Sequence, residues 1–237
     1  MNSSSPTMVI LAAGVGSRLG KSEPKCFSVL PDGQTILARQ INLARRNGVR
    51  SLIIVCGFKK SLLMEKHPDV LYCYNPSFHV TNTSKSLWRA LNMCSGDVIW
   101  TNGDIVFHEE VLKNLIAAGG NVVVVDEKDC GDEEIKYCTS PQGHIAEISK
   151  NVRASRGEAL GLNRISAADL PTLVDCLSNC ADDDYFEKAI ELSIEKDVIW
   201  KPLGVGELPV IEVDFDADWE KVKKIFSLTP NPTKSPG

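Results

Sequence analysis

Along the first half of the chain, short apolar runs alternate with amphipathic stretches. The run "MVILAA" at 8–13 predicts a strand, and "GQTILARQINLARRNG" at 33–48 has apolar residues at helical spacing, with Gly48 closing it. The same alternation continues: strand "SLIIVCG" (51–57), helix "KKSLLMEKH" (59–67), strand "VLYCYN" (70–75), and helix "TSKSLWRALNMC" (83–94) with Asn82 or Thr83 as its N-cap. Strand "DVIWTNGD" (97–104), helix "EEVLKNLIAAGG" (109–120) and strand "NVVVVD" (121–126) complete this half. Strands apolar on both faces and separated by helices predict a doubly wound, mostly parallel α/β sheet.

The second half changes texture. "EIKYCTSPQGHIAEISK" (134–150) predicts a hairpin turning at Pro-Gln-Gly, and "EALGLNRIS" (158–166) a strand. Helical stretches follow around 167–179 and 183–194, then short extended segments "VIWKPL" and "LPVIEVDF", and an amphipathic helix "DADWEKVKKIF". No repeat or linker interrupts the pattern. It predicts a single domain over 8–227, an α/β nucleotide-binding half with a small hairpin and helical elaboration. Residues 1–7 and 228–237 read as disordered tails.

Composition narrows the function classes. With 43% hydrophobic residues in 237, the chain can bury a sizeable core, and its apolar runs are too short to cross a membrane. The first seven residues lack the basic and apolar regions of a secretory signal. A net charge of −5 with no long basic run speaks against nucleic-acid binding. The eight cysteines are scattered and contain no C-x-x-C pair, which points to a reducing compartment, the cytoplasm, and away from structural zinc.

The chemistry is concentrated in "MVILAAGVGSRLGKSEPKCF" at 8–27. A Walker A loop would need glycine at Val15, and a dinucleotide fingerprint would need glycine at Leu19. Both fail on spacing. A strand, a glycine turn, Arg18 and Lys25 remain, which suits a triphosphate: glycines admit backbone N–H groups to phosphate and the cations straddle it. "WTNGDIVF" sets Asp104 just past an apolar strand, at the carboxyl edge where ligands of open α/β sheets bind. In "VIEVDFD", Glu212 and Asp214 share one strand face. Turn chemistry alone also accounts for Asn-Gly-Asp.

This set of elements resembles the nucleotidyltransferase family, whose loop reads G-x-G-x-R followed by a Pro-Lys pair; these enzymes join a nucleoside triphosphate to a phosphorylated acceptor and release pyrophosphate. The resemblance implies a Rossmann-like fold with Leu11, Ala12, Ala13, Gly14, Gly16 and Ser17 around the nucleotide. Arg18 and Lys25 would be catalytic, Asn102 and Gly103 would contact nucleotide, and Asp104 and Asp214 would hold Mg2+. "NTSKSL" opens a helix directly after a strand, so its free N–H donors and hydroxyls stand at a natural ligand edge. It matches, through Asn82, Ser86 and Leu87, the Asn-x-x-x-Ser-Leu pattern that sits near the nucleotide in the cytidylyltransferase branch; its wording is most similar to enzymes that activate 2-aminoethylphosphonate with CTP. CTP:phosphocholine cytidylyltransferases are the next relatives. Lys150 stands where related enzymes carry Glu-Lys-Pro, with Asn151 in place of the proline. Glu158 and Gly161 fall where the family lines its acceptor pocket, and Lys136 is a further anion contact.

For the acceptor's amine, "ADDDYFEKA" offers Asp184 and its neighbours, which read equally as an acidic helix start. A chain only 6% aromatic suits a primary amine better than a quaternary ammonium box. The expected partners are therefore CTP and a small phosphonate or phosphate-ester acceptor, with neither nucleic acid nor membrane. A sugar-1-phosphate nucleotidyltransferase and a non-catalytic nucleotide sensor are the alternatives. The sequence leaves the oligomeric state open, a homodimer being one option.

Overall fold

The computed structural model describes residues 5–14, 23–213 and 218–228. In the first half the predicted elements form in order: strands β1 (Thr7–Ala12), β2 (Ser51–Cys56), β3 (Leu71–Tyr74), β4 (Val98–Asn102), β5 (Ile105–Phe107) and β6 (Asn121–Asp126). They alternate with helices α1 (Ile36–Arg46), α2 (Lys60–Lys66), α3 (Thr83–Leu91) and α4 (Glu109–Ala118). The hairpin is β7 (Lys136–Thr139) and β8 (Ile145–Ser149), and β9 (Gly157–Ile165), α5 (Leu170–Asn179), α6 (Phe186–Ile194), β10 (Trp200–Gly204), β11 (Val210–Glu212) and α7 (Asp218–Leu228) follow.

The main sheet runs β10-β6-β9-β4-β1-β2-β3. β1 pairs parallel with β2 and β4, β2 with β3, and β6 with β10, while β9 is antiparallel to both β4 and β6. The fold class read from the sequence therefore holds, with one refinement. β9, assigned to the elaboration, lies in the middle of the sheet, so the two halves of the sequence are not two halves in space. Every residue of β9 is buried or half-buried, which a central position with cover on both faces provides.

Alternation along β1 sorts the core into two layers. Met8, Ile10 and Ala12 pack with Leu37, Ile41, Leu112 and Leu115 of α1 and α4. Val9, Leu11 and Ala13 pack on the opposite face with Leu87, Leu173 and Ile190 of α3, α5 and α6. Each fully buried aliphatic side chain contributes about 2 kcal/mol, so this two-sided stripe fixes the register of β1. On the α3 side Trp100 of β4 meets Phe186 edge to face at 5.8 Å and Trp200 at 6.1 Å, which anchors the start of α6 on the central sheet.

Two local readings change. Thr7, expected in a disordered tail, opens β1, and Ser5 Oγ donates to the Gly48 carbonyl at 2.7 Å. The strand at 97–104 breaks into β4 and β5, and β5 turns away to pair antiparallel with β11. That small arm carries its own apolar cluster, in which Val106 and Val213 pack with Leu30, Ile36, Val222 and Ile225, so α7 supports the arm from behind. Residues 1–4 and 229–237 of the predicted tails lie outside the described residues.

Candidate active site

The parallel register of β1 and β4 sets Leu11 beside Asn102, bringing both carboxyl ends together at one edge of the sheet. The Gly103 N–H donates to the Leu11 carbonyl at 2.9 Å. A Cβ at Gly103 would lie 2.8 Å from that carbonyl oxygen, so only glycine lets the turn lie this close. Asp104 follows directly, and its carbonyl accepts the Val213 N–H at 3.0 Å, which ties the exit of β11 to the same turn.

Facing this edge is a single 3-10 turn, Lys25–Phe27, capped by Pro24 in an extended conformation (φ −54°, ψ 141°). The turn lifts Lys25 toward the sheet, and its Nζ lies 3.6 Å from Asp104 Oδ2, both side chains mostly shielded from solvent. Cys26 beside it is buried. Burial first, and the Asp104 charge second, push its thiol up to about 12, so it remains protonated near neutrality and is not a nucleophile.

These groups line an open cavity of about 260 Å³ bounded by Leu11, Ala12 and Gly14 on the β1 side, Pro24, Lys25 and Cys26 opposite, and Asn102, Gly103 and Asp104 at its floor; Thr83, Tyr185 and Glu212 complete the wall. Of the residues singled out in the sequence, Leu11, Ala12, Gly14, Lys25, Asn102, Gly103 and Asp104 are thus brought together. Ala13 packs into the core instead. Gly16, Ser17, Arg18 and Asp214 lie outside the described residues.

The start of α3 differs from expectation. Its donors, read as open to a ligand, are engaged: Asn82 N–H donates to Asp182 O at 2.7 Å, Ser84 N–H to Asp184 O at 3.3 Å, and Thr83 N–H to the Asn82 cap at 2.8 Å. Lys85 Nζ donates to the carbonyls of Ser178 and Cys180. Ser86 is buried, accepting from Asn75 Nδ2 at 3.0 Å. This end of the helix clasps the 181–185 loop. Thr83 and Tyr185 reach the cavity as a result, whereas Asn82 and Ser86 do not line it.

Of the acceptor-side candidates, Lys150 stands next to Tyr185. Lys150 Nζ pairs with Glu133 at 3.0 Å and stands 5.4 Å from the centre of the Tyr185 ring. Lys136 Nζ donates to the Lys150 carbonyl at 3.2 Å and sits opposite Glu158 in the β7–β9 register, while Glu158 pairs with Lys128 at 2.6 Å. Asp184 turns inward on its own loop and accepts from Ala181 N–H at 2.7 Å. Gly161, expected in an acceptor pocket, lies behind the floor instead. At φ +69° a Cβ there would come within 3.0 Å of Asn102 Nδ2 and 2.7 Å of Ile105 Cδ1.

Glu212, Thr83 and Tyr185 were visible in the sequence only as the neighbours of preferred residues. What selects them is the clasp and the β5–β11 arm, both long-range pairings. Among the described residues no three His, Cys, Asp or Glu side chains gather into a metal cage.

A mixed sheet with a glycine-lined nucleotide edge, a lysine and an aspartate facing across it, and helices on both faces is the architecture of a nucleotidyltransferase. The chain belongs to the MobA-like NTP transferase domain family, whose model matches residues 8–170. Among curated proteins it is 33% identical over 119 residues to the CMP-5'-(3-aminopropyl)phosphonate synthase of Streptomyces rubellomurinus, covering 46% of this chain and 19% of that protein. It is also 33% identical over 117 residues to the bifunctional IPC transferase and DIPP synthase of Thermococcus kodakarensis, covering 47% of this chain and 26% of that protein. The matches therefore span only about a fifth to a quarter of these relatives' own length. Among solved structures, the CTP:phosphocholine cytidylyltransferase of Streptococcus pneumoniae superposes with a TM-score of 0.77 at 20% identity, over 94% of this chain and 100% of that one. The inositol-1-phosphate CTP transferase of T. maritima gives 0.80 at 16% identity, over 96% and 99%. These likenesses establish the fold.

Proposed function

We propose that this chain is a Mg2+-dependent cytidylyltransferase that transfers CMP from CTP to 2-aminoethylphosphonate and releases pyrophosphate. The observation that carries the reading is the Lys25–Asp104 pair, 3.6 Å apart at the floor of the cavity formed by β1 and β4. In-line attack by a phosphonate oxyanion on the α-phosphorus forms one P–O bond and breaks the bond to the β-phosphate, whose oxygen leaves with the electron pair as pyrophosphate. Such a reaction needs charge stabilisation and alignment rather than a protein nucleophile. Lys25, held by the 3-10 turn, offsets charge on the leaving phosphates, and Arg18 is assigned to the triphosphate from its place in the sequence motif.

The donor set suits a hard cation: Asp104 and Glu212 both bring carboxylates to the cavity, and Asp214 is two residues further on. Magnesium takes one or two such carboxylates and fills its remaining positions with phosphate oxygens and water. When bound, it would neutralise the phosphates and favour departure of pyrophosphate.

For the acceptor, the Tyr185 face suits a cationic head, and Lys150 and Lys136 suit the phosphonate. The phosphonate named in the Streptomyces relative supports this choice. A second reading, phosphocholine, draws on the same aromatic face, since Lys150 already stands over it at 5.4 Å. One ring is a poor box for a quaternary ammonium, which favours the primary amine. The test is pyrophosphate release with Mg2+ and CTP, comparing 2-aminoethylphosphonate, phosphocholine and a sugar 1-phosphate. Release with the aminophosphonate supports the reading. Release with another acceptor alone keeps the chemistry and overturns the acceptor, and silence with all three overturns the proposal.

A further inference from the structure

We infer that Gln40, a residue of α1 outside the cavity, is the positioning residue for Asp104. Its side chain is 1% exposed, and its Nε2 donates to the carbonyl of Asn102 at 2.9 Å and to that of Ile105 at 2.8 Å. These carbonyls flank Gly103 and Asp104 directly, so one amide group clamps both shoulders of the turn that carries the carboxylate. Backbone hydrogen bonds also tie the turn to Leu11 and Val213. Asp104 lies in the turn between two strands of different sheets: β4 ends at Asn102 and β5 begins at Ile105. Two carbonyls facing one side chain require two N–H donors on one atom, which a primary amide supplies. The orientation of the amide is fixed by the same requirement. Gln40 Oε1 is left buried without a hydrogen-bond partner, a cost that a purely space-filling residue at this site would avoid.

The inference rests on the assignment of Asp104 to the metal, so the test separates the two. Mn2+ binding to the protein with CTP and no acceptor is read by electron paramagnetic resonance for wild type, D104N, Q40M and D97N. Q40M keeps the length of the side chain and removes both donors. D97N loosens the Asp97–Arg164 ion pair (2.6 Å) at the opposite end of β4, about 17 Å away at the rise of a strand, and is the control for a general loss of stability. The expectation is a loss of Mn2+ affinity of roughly thirty-fold or more in D104N, roughly five- to ten-fold in Q40M, and none in D97N. In metal-free protein, amide exchange across 102–105 is faster in Q40M than in D97N. Wild-type affinity in Q40M, with D104N defective, overturns the positioning role alone. Wild-type affinity in D104N overturns the metal assignment and the inference with it. Should Q40M not fold, Q40N decides: its shorter amide reaches at most one carbonyl, and wild-type affinity there overturns the inference.

Discussion

The two walls of the cavity are built in different ways. On the nucleotide side, the β1 and β4 ends are held by backbone hydrogen bonds, a glycine at which any Cβ would lie 2.8 Å from a backbone oxygen, and a buried amide clamp. On the acceptor side, long charged side chains pair among themselves: Lys150 with Glu133, and Glu158 with Lys128. Each of these pairs reaches solvent through at least one partner and is worth little, on the order of 0–1 kcal/mol. On the proposed assignment, the chemistry rests on a rigid wall and selectivity on one that can rearrange. The contrast predicts that damage to the first abolishes turnover, whereas damage to the second shifts acceptor preference.

The largest effect should come from Asp104. D104N should lower kcat for pyrophosphate release by roughly 10³-fold, since it removes the carboxylate proposed to hold the metal against the reacting phosphates, while its thermal midpoint stays within a few degrees of wild type. K25M should follow with a loss of roughly 10²-fold, read in the same assay. Equal or smaller losses than those of acceptor-side variants would erase the contrast between the walls.

Next in size is a stability effect on the acceptor side. Glu187, 6% exposed in the first turn of α6, has its carboxyl pushed up to about 7 by burial, partly offset by its own backbone hydrogen bond. A raised folded-state pKa means the unfolded chain releases the proton first. The associated stability is fully present below about 4.5 and is lost as pH rises to about 7. E187Q removes this dependence. Chemical denaturation should show wild type losing about 2–3 kcal/mol relative to E187Q between pH 4.5 and 8, and parallel pH profiles would show that burial does not govern this carboxyl. On the nucleotide side, G103A should cost about 1–3 kcal/mol, because its Cβ would force β1 and the turn apart. An unchanged denaturation midpoint would mean that the edge is softer than its packing implies.

The same division explains what could be read in the sequence. The nucleotide wall is local: strand, glycines, Lys25 and Asn-Gly-Asp each sit within a few residues of the element that presents them, so the apolar run before each one located it. The acceptor wall depends on distant pairings. Nothing near Asn82 announces that its N–H will meet Asp182 a hundred residues later, so a capped helix start looked like a ligand site. β9 was legible as a strand, but its place between β4 and β6 depends on topology rather than composition. Gln40 escaped notice for a related reason. A glutamine among apolar helix positions has no local signature, and its role appears only when α1 is packed against the turn after β4.

Tyr185 gives the finest test, because it belongs to the movable wall but is fixed by the rigid one. Thr83 Oγ1 accepts the Phe186 N–H at 3.1 Å, and Phe186 is anchored on Trp100, so the ring's root does not wander even though its face is 44% exposed. The cation over it is Lys150, at 5.4 Å. If the acceptor's ammonium takes that face, Lys150 is displaced toward the phosphonate, and a single half-exposed ring contributes about 1 kcal/mol. Y185L should therefore raise the acceptor KM roughly five-fold, with the KM for CTP and the response to Mg2+ unchanged. A change in both KM values would mean that the clasp transmits strain to the nucleotide wall, making the two walls one mechanical unit. Unchanged values for both would remove the acceptor from this face and leave Lys136 of β7 and Lys150, just past β8, to recognise it by its anion alone.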